Sequence, residues 1–380
     1  MARKSVPIGV LFSTEGPYAT VGSEGLYGAL AAIAEINADQ SLPFTLEATH
    51  GNPGGVVERY ATLAHDIVKQ TRAEHIVGCT TSWSRKEVIP VLERHGTLLW
   101  YPCPYEGFEC NEQVVYLGSC PNQHIVPLLD YIVPRFGKNP FFVGSNYIWG
   151  WETNRIAREL IERQGGTVLG ERYAPLGDTD VTRMIEEIRA KKPDFVLNNL
   201  IGPSSYAFLT AYRRLIEEEP AFASRPVLSC NLSDMEVARL DSAVDGHFTV
   251  APYFQGLPGA ENAAFLQRAR AVSPELEAVS VLFVQAYAAV HLIARGLAAT
   301  DGGDAAAVLG HAKAHDLASP FGPLRIDGVT NHAVLPARIA RCRGGLYEIV
   351  SEGEAIAPDP YLARRPEPAA LAVRHLRVIK

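Results

Sequence analysis

The sequence predicts a two-lobed α/β protein in which each lobe is a mostly parallel sheet flanked by helices. Short apolar segments, such as residues 8–12, 75–79 and 98–101, alternate with segments of helical periodicity, and the same alternation recurs over residues 141–230. Several of these segments are apolar without interruption, as is typical of strands covered on both faces. A chain of 380 residues is also longer than one hydrophobic core usually accommodates, which favours two lobes.

The first block begins with a strand at residues 8–12 and a helix predicted to start near Ser23. Four side chains at helical spacing predict one buried stripe on this helix: Leu26, Leu30, Ile33 and Asn37. Strands are predicted at residues 44–48, 75–79 and 98–101. The helix after the third strand is predicted to start at Ser84, because Ser84 and Glu87 have the spacing of a capping box.

The second block repeats this pattern from residue 141 onward. Its predicted strands are 141–145, 167–173, 194–198 and 227–230, and its predicted helices are 152–164, 179–191 and 205–217. A strand-like segment at 249–253 could pass between lobes, and helices follow at 260–271 and 276–298. We therefore expect lobe 1 to comprise residues 1–120 and 254–325, and lobe 2 residues 121–253 and 326–380.

Composition excludes several classes of function. The 35 Lys and Arg are outnumbered by 42 Asp and Glu, and the formal net charge of -7 argues against direct nucleic-acid binding and against a polybasic membrane surface. The most apolar stretch, residues 281–300, contains Gln285, His291 and Arg295, which indicates a buried helix rather than a membrane insertion.

The cysteines and the N-terminus bear on the compartment. Six cysteines without a C-x-x-C pair indicate buried thiols rather than a disulfide scaffold; Cys79 and Cys103 could lie close together, and whether they pair stays open. The basic start and the apolar run at 6–12 are interpreted as a first strand, not a signal peptide, since no cleavage pattern follows. The expected location is cytoplasmic, or periplasmic if a leader was removed.

Polar and aromatic residues cluster where three predicted strands end. The clusters are residues 79–84, 101–109 and 144–152, rich in hydroxyls, aromatic rings and proline and poor in charge. In open parallel sheets, ligands bind beyond the carboxyl ends of strands. Hydroxyls and main-chain amides can satisfy a carbonyl and an NH₂ group, so the lining favours a small neutral polar ligand.

The same segments resemble one branch of the type I periplasmic-binding-protein superfamily, which contains amide-sensing negative regulators of amidase operons and urea-binding subunits of ABC transporters. The similarity spans residues 6–361, and its most specific string is Y-P-C-P-Y-E-G-F-E at 101–109. The resemblance implies two α/β lobes joined by three crossovers, with a short-chain amide or urea enclosed between them. By motif position it implies these ligand-binding residues: Ser82, Tyr147, Tyr101, Pro104, Thr80, Cys103 and Trp149.

This sequence departs from the branch at three of those positions. Thr80 replaces a bulky aromatic residue, Cys103 a hydroxyl residue and Trp149 a tyrosine, so the pocket is expected to differ in shape and to be less polar at one corner. Asn231, which follows the strand at 227–230, is a weaker candidate, equally consistent with a helix cap.

We expect binding without catalysis. Cys103 lies between two prolines with no identifiable base, which disfavours a thiol amidase, and no cofactor or metal motif is found. Two biological roles for this binding stay open. The first is a cytoplasmic sensor that sequesters an RNA-binding antiterminator and so represses amidase-type genes; the alternative is a substrate-binding protein that delivers its ligand to an ABC permease. The sequence leaves homo-oligomer formation open.

Overall fold

The chain divides into two compact units in the computed structural model, which describes residues 3–273, 276–364 and 376–378. Each unit is assembled from separate segments of the chain. Unit 1 comprises Met1–Tyr105, Glu109–Ser119 and Leu257–Leu335; unit 2 comprises Glu106–Phe108, Cys120–Gly256 and Pro336–Lys380. The two-lobed α/β class predicted from the sequence is confirmed. Residues 365–375 and 379–380 of the predicted second lobe lie outside the described residues.

Unit 1 contains a five-stranded, fully parallel sheet in the order β2-β1-β3-β4-β5. Its strands are β1 (Lys4–Leu11), β2 (Phe44–Gly51), β3 (His75–Gly78), β4 (Leu98–Tyr101) and β5 (Val114–Tyr116). Its helices are α1 (Ala19–Ala38), α2 (Glu58–Thr71), α3 (Ser82–His95), α9 (Ala260–Val272), α10 (Val281–Ala299) and α11 (Ala305–Ala314). Because the strands are parallel, the loops that follow β1, β3 and β4 all leave from one edge of the sheet.

Unit 2 contains a mostly parallel sheet in the order β7-β6-β8-β9-β10, and strand β13 (Ala333–Arg343) pairs antiparallel with β10 at its end. Its strands are β6 (Phe141–Ser145), β7 (Gly170–Ala174), β8 (Val196–Asn199), β9 (Val227–Ser229), β10 (Phe248–Ala251), β14 (Leu346–Ile356) and β15 (Leu376–Val378). Its helices are α4 (Ile125–Phe136), α5 (Ile148–Arg163), α6 (Thr182–Lys191), α7 (Pro203–Glu218) and α8 (Asp234–Leu240). Unit 1 also contains two short strands, β11 (Leu317–Ser319) and β12 (Gly322–Ile326), which pair antiparallel with each other. Strand β12 pairs antiparallel with the start of β13, and the rest of β13 belongs to unit 2.

The buried face of α1 matches the predicted stripe only in part: Ile33 is buried, whereas Leu26 and Asn37 are partly exposed. Leu30 is 37% exposed, whereas small residues such as Gly25, Gly28 and Ala32 are buried. A Cβ atom built at Gly28 would lie 2.2 Å from the carbonyl oxygen of Phe283 in α10. The two helices therefore approach through small residues at this point, because close backbone approach leaves no room for a larger side chain such as leucine.

Helix α10 is the core helix of unit 1, as predicted. Among the described residues it is the helix that is long and apolar enough to cross a membrane, and most of that stretch is buried inside the structure. Its Gln285 side chain donates a 2.7 Å hydrogen bond to the carbonyl of Leu117, just beyond β5.

The capping box of α3 lies three residues before its predicted place. Thr81, not Ser84, is the N-cap: its hydroxyl accepts from the Ser84 amide at 3.1 Å, and the Ser84 hydroxyl accepts from the Thr81 amide at 2.9 Å. A serine thus fills the position in which the sequence pattern anticipates glutamate. As a result Ser82 occupies the first turn of α3 rather than the preceding loop.

Candidate ligand-binding site

The predicted residues of unit 1 lie together at the carboxyl edge of its sheet. Thr80 and Ser82 follow β3, Tyr101 is the last residue of β4, and Cys103 and Pro104 follow it. Cys79 sits between β3 and this loop with a φ of 64°, the left-handed region that non-glycine residues seldom adopt, and its amide donates to the Leu11 carbonyl at 2.9 Å. That bond anchors the turn to the end of β1.

These five residues are largely buried. Ser82, Tyr101 and Cys103 are each less than 5% exposed, and Thr80 is 8% exposed. Pro104 is half-buried. Buried hydroxyl groups need hydrogen-bond partners. The Thr80 hydroxyl lies 3.2 Å from the Tyr60 hydroxyl, and the Ser82 hydroxyl lies 3.5 Å from the guanidinium of Arg85.

Arg85 is the fully buried cation of this edge. Its Nε donates to Glu109 Oε1 at 2.6 Å and its Nη2 donates to Glu109 Oε2 at 3.3 Å. The guanidinium carbon lies 4.7 Å from the ring centroids of both Tyr101 and Tyr105 and 5.7 Å from that of Tyr116. The pair is therefore neutralised and enclosed by aromatic faces, where a guanidinium is favoured.

Glu109 is held ionised by this environment. Burial alone would raise its pKa, but the charge of Arg85 and the hydrogen bonds from Arg85 and Lys86 lower the pKa to about 2. Tyr116 donates a 2.8 Å hydrogen bond to the same carboxylate. The string at 101–109 thus has two roles: its first residues lie at the candidate site, and Tyr105 and Glu109 hold Arg85, a partner that sequence reasoning did not assign.

Cys103 is not an activated nucleophile. Its Sγ donates toward the carbonyl of Cys79 at 3.6 Å, and both cysteines are unpaired thiols. Burial raises the pKa of Cys79 to about 12 and raises that of Cys103 further, with the proximity of Cys79 and Glu24 as smaller causes. Both thiols are therefore protonated at neutral pH, which is the opposite of what thiol catalysis requires.

The predicted residues of unit 2 lie at the carboxyl edge of its own sheet. Helix α5 begins at Ile148, four residues before its predicted start, so Tyr147 is its N-cap residue and Trp149 belongs to its first turn. Both side chains are buried. The Trp149 indole ring lies 5.6 Å from the His124 ring, and its buried Nε1 has no hydrogen-bond partner among the described residues.

Asn231 follows β9 but does not cap a helix. Ser233 is the N-cap of α8, in a capping box with Glu236, whereas Asn231 forms bonds with Ser229 at 2.9 and 3.3 Å. The helix-cap interpretation of Asn231 is therefore wrong, because the chain needs two further residues before the helix begins. Its side chain is partly exposed at the sheet edge.

The two edges are chemically alike in that their predicted residues carry no net charge. In the part of the chain that the structure describes, no group of three or more His, Cys, Asp or Glu side chains could hold a metal ion. Uncharged hydroxyls, amides and an indole can bind a neutral polar molecule by hydrogen bonds.

Residues 6–367 match the family described as periplasmic binding protein domain, so the chain belongs to that family. Solved structures of similar fold include a solute-binding protein of an ABC transporter from Rhodopseudomonas palustris HaA2, in complex with p-hydroxybenzoic acid. It has 20% sequence identity and a TM-score of 0.81, and the match covers 91% of this chain and 95% of the other.

Two further solved structures are substrate-binding proteins linked to amino acids. The amino acid ABC transporter protein from Pseudomonas fluorescens Pf-5 has 19% identity and a TM-score of 0.80, with 95% of this chain and 98% of the other covered. The branched-chain amino acid transporter protein from Streptococcus pneumoniae, in complex with isoleucine, has 17% identity and a TM-score of 0.76, with coverage of 91% and 99%. At these identities the likeness establishes the fold.

Proposed function

We propose that this chain is a non-catalytic substrate-binding protein that captures a small uncharged ligand, a short-chain amide or urea, for an ABC permease. The observation that carries the ligand class is the neutral polar character of both sheet edges. Arg85, the buried cation at the edge of unit 1, is already neutralised by Glu109 and enclosed by tyrosine rings. A ligand carboxylate would have to compete with Glu109 for Arg85, whereas an amide needs no charged partner.

The proposal assigns ligand contacts to Ser82, Thr80 and Tyr101 in unit 1 and to Tyr147 and Trp149 in unit 2. Each is buried and polar or aromatic. A hydroxyl can accept from an amide NH₂ or donate to its carbonyl, and an unpaired partner would cost about 1–3 kcal/mol, which is enough to select among ligands. Cys103 and Pro104 shape the wall rather than bind by charge.

Transport is proposed ahead of gene regulation. The solved structures reported above are transporter proteins, and they support a permease partner and an extracytoplasmic location better than an antiterminator partner and a cytoplasmic one. The Rhodopseudomonas palustris protein was solved with p-hydroxybenzoic acid and the Streptococcus pneumoniae protein with isoleucine, so such compounds belong in the test as competitors for the amide assignment.

The test is a thermal-shift and calorimetric panel of acetamide, propionamide, butyramide and urea against benzoate, 4-hydroxybenzoate and isoleucine. Ligand at 100 times its Kd stabilises the folded protein by about 2.7 kcal/mol, so micromolar binding gives a clear rise in Tm at millimolar ligand. A response to amides or urea supports the proposal. A response to the acids alone would replace the ligand class, and no response to any compound would overturn it.

Ser82→Ala tests the assigned residue. We expect weaker amide binding, by about five- to tenfold, with the protein still folded. The control is Ser41→Ala, an exposed serine of the same unit, which should bind as the wild type does. Unchanged affinity in Ser82→Ala would remove this residue from the site.

A further inference from the structure

The Tyr18 hydroxyl is a buried polar group at the edge of unit 1. Tyr18 lies between β1 and α1 and is 4% exposed, and its Oη has no hydrogen-bond partner among the described residues. Native structures leave few buried polar groups unsatisfied, and each exception needs an explanation. Burial raises the pKa of Tyr18, with Tyr60 as a smaller cause, so the phenol keeps its proton at neutral pH.

Three more hydroxyls form a chain close to this segment, because Pro17, the neighbour of Tyr18, lies 3.3 Å from the Cβ position of Gly55 and Tyr60 contributes to the raised pKa of Tyr18. Ser13 Oγ lies 2.8 Å from the Tyr60 hydroxyl, which lies 3.2 Å from Thr80 Oγ1. The chain joins the end of β1, the first turn of α2 and the end of β3. Ser13 also accepts a 3.0 Å hydrogen bond from the Gly55 amide. All three of these hydroxyl side chains are buried.

Helix α1 is packed tightly against this point. A Cβ atom at Gly22 would lie 1.8 Å from the carbonyl oxygen of Ser13, so only glycine allows the first turns of α1 to rest on the end of β1. The segment that carries Tyr18 joins these two elements and is therefore firmly placed.

The four hydroxyl groups of Tyr18, Ser13, Tyr60 and Thr80 retain hydrogen-bond donors that they do not use among themselves. Two hydrogen bonds link the hydroxyls of Ser13, Tyr60 and Thr80, and these bonds use two of the three hydroxyl protons. One hydroxyl proton therefore remains to be donated to a partner other than these three residues. Tyr18 supplies a second. The group therefore offers two O–H donors, together with oxygen lone pairs, and carries no positive charge.

A carboxylate is a poor match for this group. Glu24, a fully buried carboxyl of α1, lies close enough that its charge contributes, after burial and Cys79, to raising the pKa of Cys103. That charge would repel a second anion placed beside it. A neutral hydroxyl, which can both accept and donate, satisfies the available atoms.

We propose that Tyr18, Tyr60 and Thr80 form a hydroxyl subsite, so that the preferred ligand is a hydroxylated short-chain amide rather than a plain alkyl amide. This inference rests on the proposed function, because Ser82 is taken to bind the amide group. Thr80 and Ser82 are two residues apart, so their Cα atoms lie within about 7.6 Å. A hydroxyl one to three carbons from the amide group could reach both.

The test compares matched ligand pairs by calorimetry: acetamide with glycolamide, propionamide with lactamide, and butyramide with 4-hydroxybutyramide. We expect the hydroxylated member of at least one pair to bind about five- to tenfold more tightly to the wild type. In Tyr18→Phe that ratio should fall towards one. The unliganded variant should melt at a higher temperature, because an unsatisfied buried hydroxyl has been removed.

Thr80→Val is the second variant and should reduce the same ratio, which keeps the test decisive if one variant folds poorly. Tyr27→Phe, a partly exposed tyrosine on α1, is the matched control and should leave the ratio as in the wild type. If plain amides bind and the hydroxylated members bind no more tightly, the hydroxyl subsite is excluded and the proposed function stands. If no member of any pair binds, the proposed function fails and the inference fails with it.

Discussion

Arg85 and Glu109 form a charge pair with a 2.6 Å bond between Nε and Oε1, and the Arg85 side chain is fully removed from solvent. Tyrosine rings enclose the guanidinium, and the Ser82 hydroxyl lies 3.5 Å from its Nη1. Removing one member of such a pair leaves an uncompensated buried charge, which is far more costly than the pair itself is stabilising. The pair therefore constrains both α3 and the loop that contains Cys103 and Pro104.

Glu109→Gln should lower the free energy of unfolding by about 3 kcal/mol at pH 7, because Arg85 would lose its counter-charge. The control is Glu112→Gln, an exposed residue three positions away, which should change stability by no more than about 0.5 kcal/mol. Urea unfolding followed by circular dichroism measures both. A loss below about 1 kcal/mol in Glu109→Gln would show that the pair is dispensable for the fold.

Burial lowers the pKa of His75 to about 4, so the folded protein holds this imidazole neutral. In the unfolded chain its pKa is about 6.5, so the unfolded state binds more protons between pH 6.5 and 4. The stabilisation is complete above pH 6.5 and is lost as pH falls through that window, by about 1.4 kcal/mol per pH unit.

His75→Gln removes that dependence. The wild type should lose stability on acidification from pH 6.5 to 4.5 more steeply than the variant, measured as unfolding free energy at each pH. His315→Gln, at an exposed position, should behave as the wild type. Equal slopes for His75→Gln and the wild type would show that the imidazole takes up its proton as readily in the folded state as in the unfolded chain.

Trp149→Phe tests the unit 2 edge. Trp149 Nε1 is buried and has no hydrogen-bond partner in the described part of the chain, so removing its N–H should not lower the stability of the unliganded protein. If the indole donates to the ligand, the Kd should rise about tenfold. Trp151→Phe is the control, since that indole is 42% exposed and already bonds to Asn146 at 3.1 Å. Unchanged binding in Trp149→Phe would exclude the indole donor.

Gly28→Ala should destabilise unit 1 by about 2–3 kcal/mol, because its Cβ would lie 2.2 Å from the Phe283 carbonyl oxygen. Gly310→Ala, in the middle of α11 with open space around its Cβ position, should instead stabilise the protein by up to about 1 kcal/mol. Thermal unfolding distinguishes the two. A neutral Gly28→Ala would mean that α1 and α10 can separate at little cost.

Cysteine reactivity tests the absence of thiol catalysis. Cys110 is exposed and Cys103 is buried with a raised pKa, so iodoacetamide at pH 7.5 should label Cys110 quickly and leave Cys103 unmodified in the folded protein. Peptide mass spectrometry of a labelling time course shows the order. Rapid labelling of Cys103 would contradict its assignment as a wall residue and reopen a nucleophilic role.

The local pattern of apolar and polar residues was sufficient to predict where the strands end at the sheet edges. The apolar runs before Thr80, Cys103 and Tyr147 end where the structure ends β3, β4 and β6, because a parallel strand buried on both faces must be apolar and must stop where polar loop residues begin. That logic also extends to Ser13 after β1, so the hydroxyl chain could have been anticipated at its first member. It could not reach Tyr60, whose position depends on how α2 packs.

By itself, then, the sequence determined the α/β class, the alternation of strands and helices within the two blocks, and the uncharged polar character of the residues that end the strands, but it did not predict α4, α8, α11 or β5. Only the tertiary structure decided that α1 buries its glycines and alanines rather than Leu30, that Ser233 and not Asn231 caps α8, and that Glu109 neutralises Arg85. Each of these depends on groups distant in the chain approaching within a few ångströms, and neither residue spacing nor intrinsic preference encodes that distance.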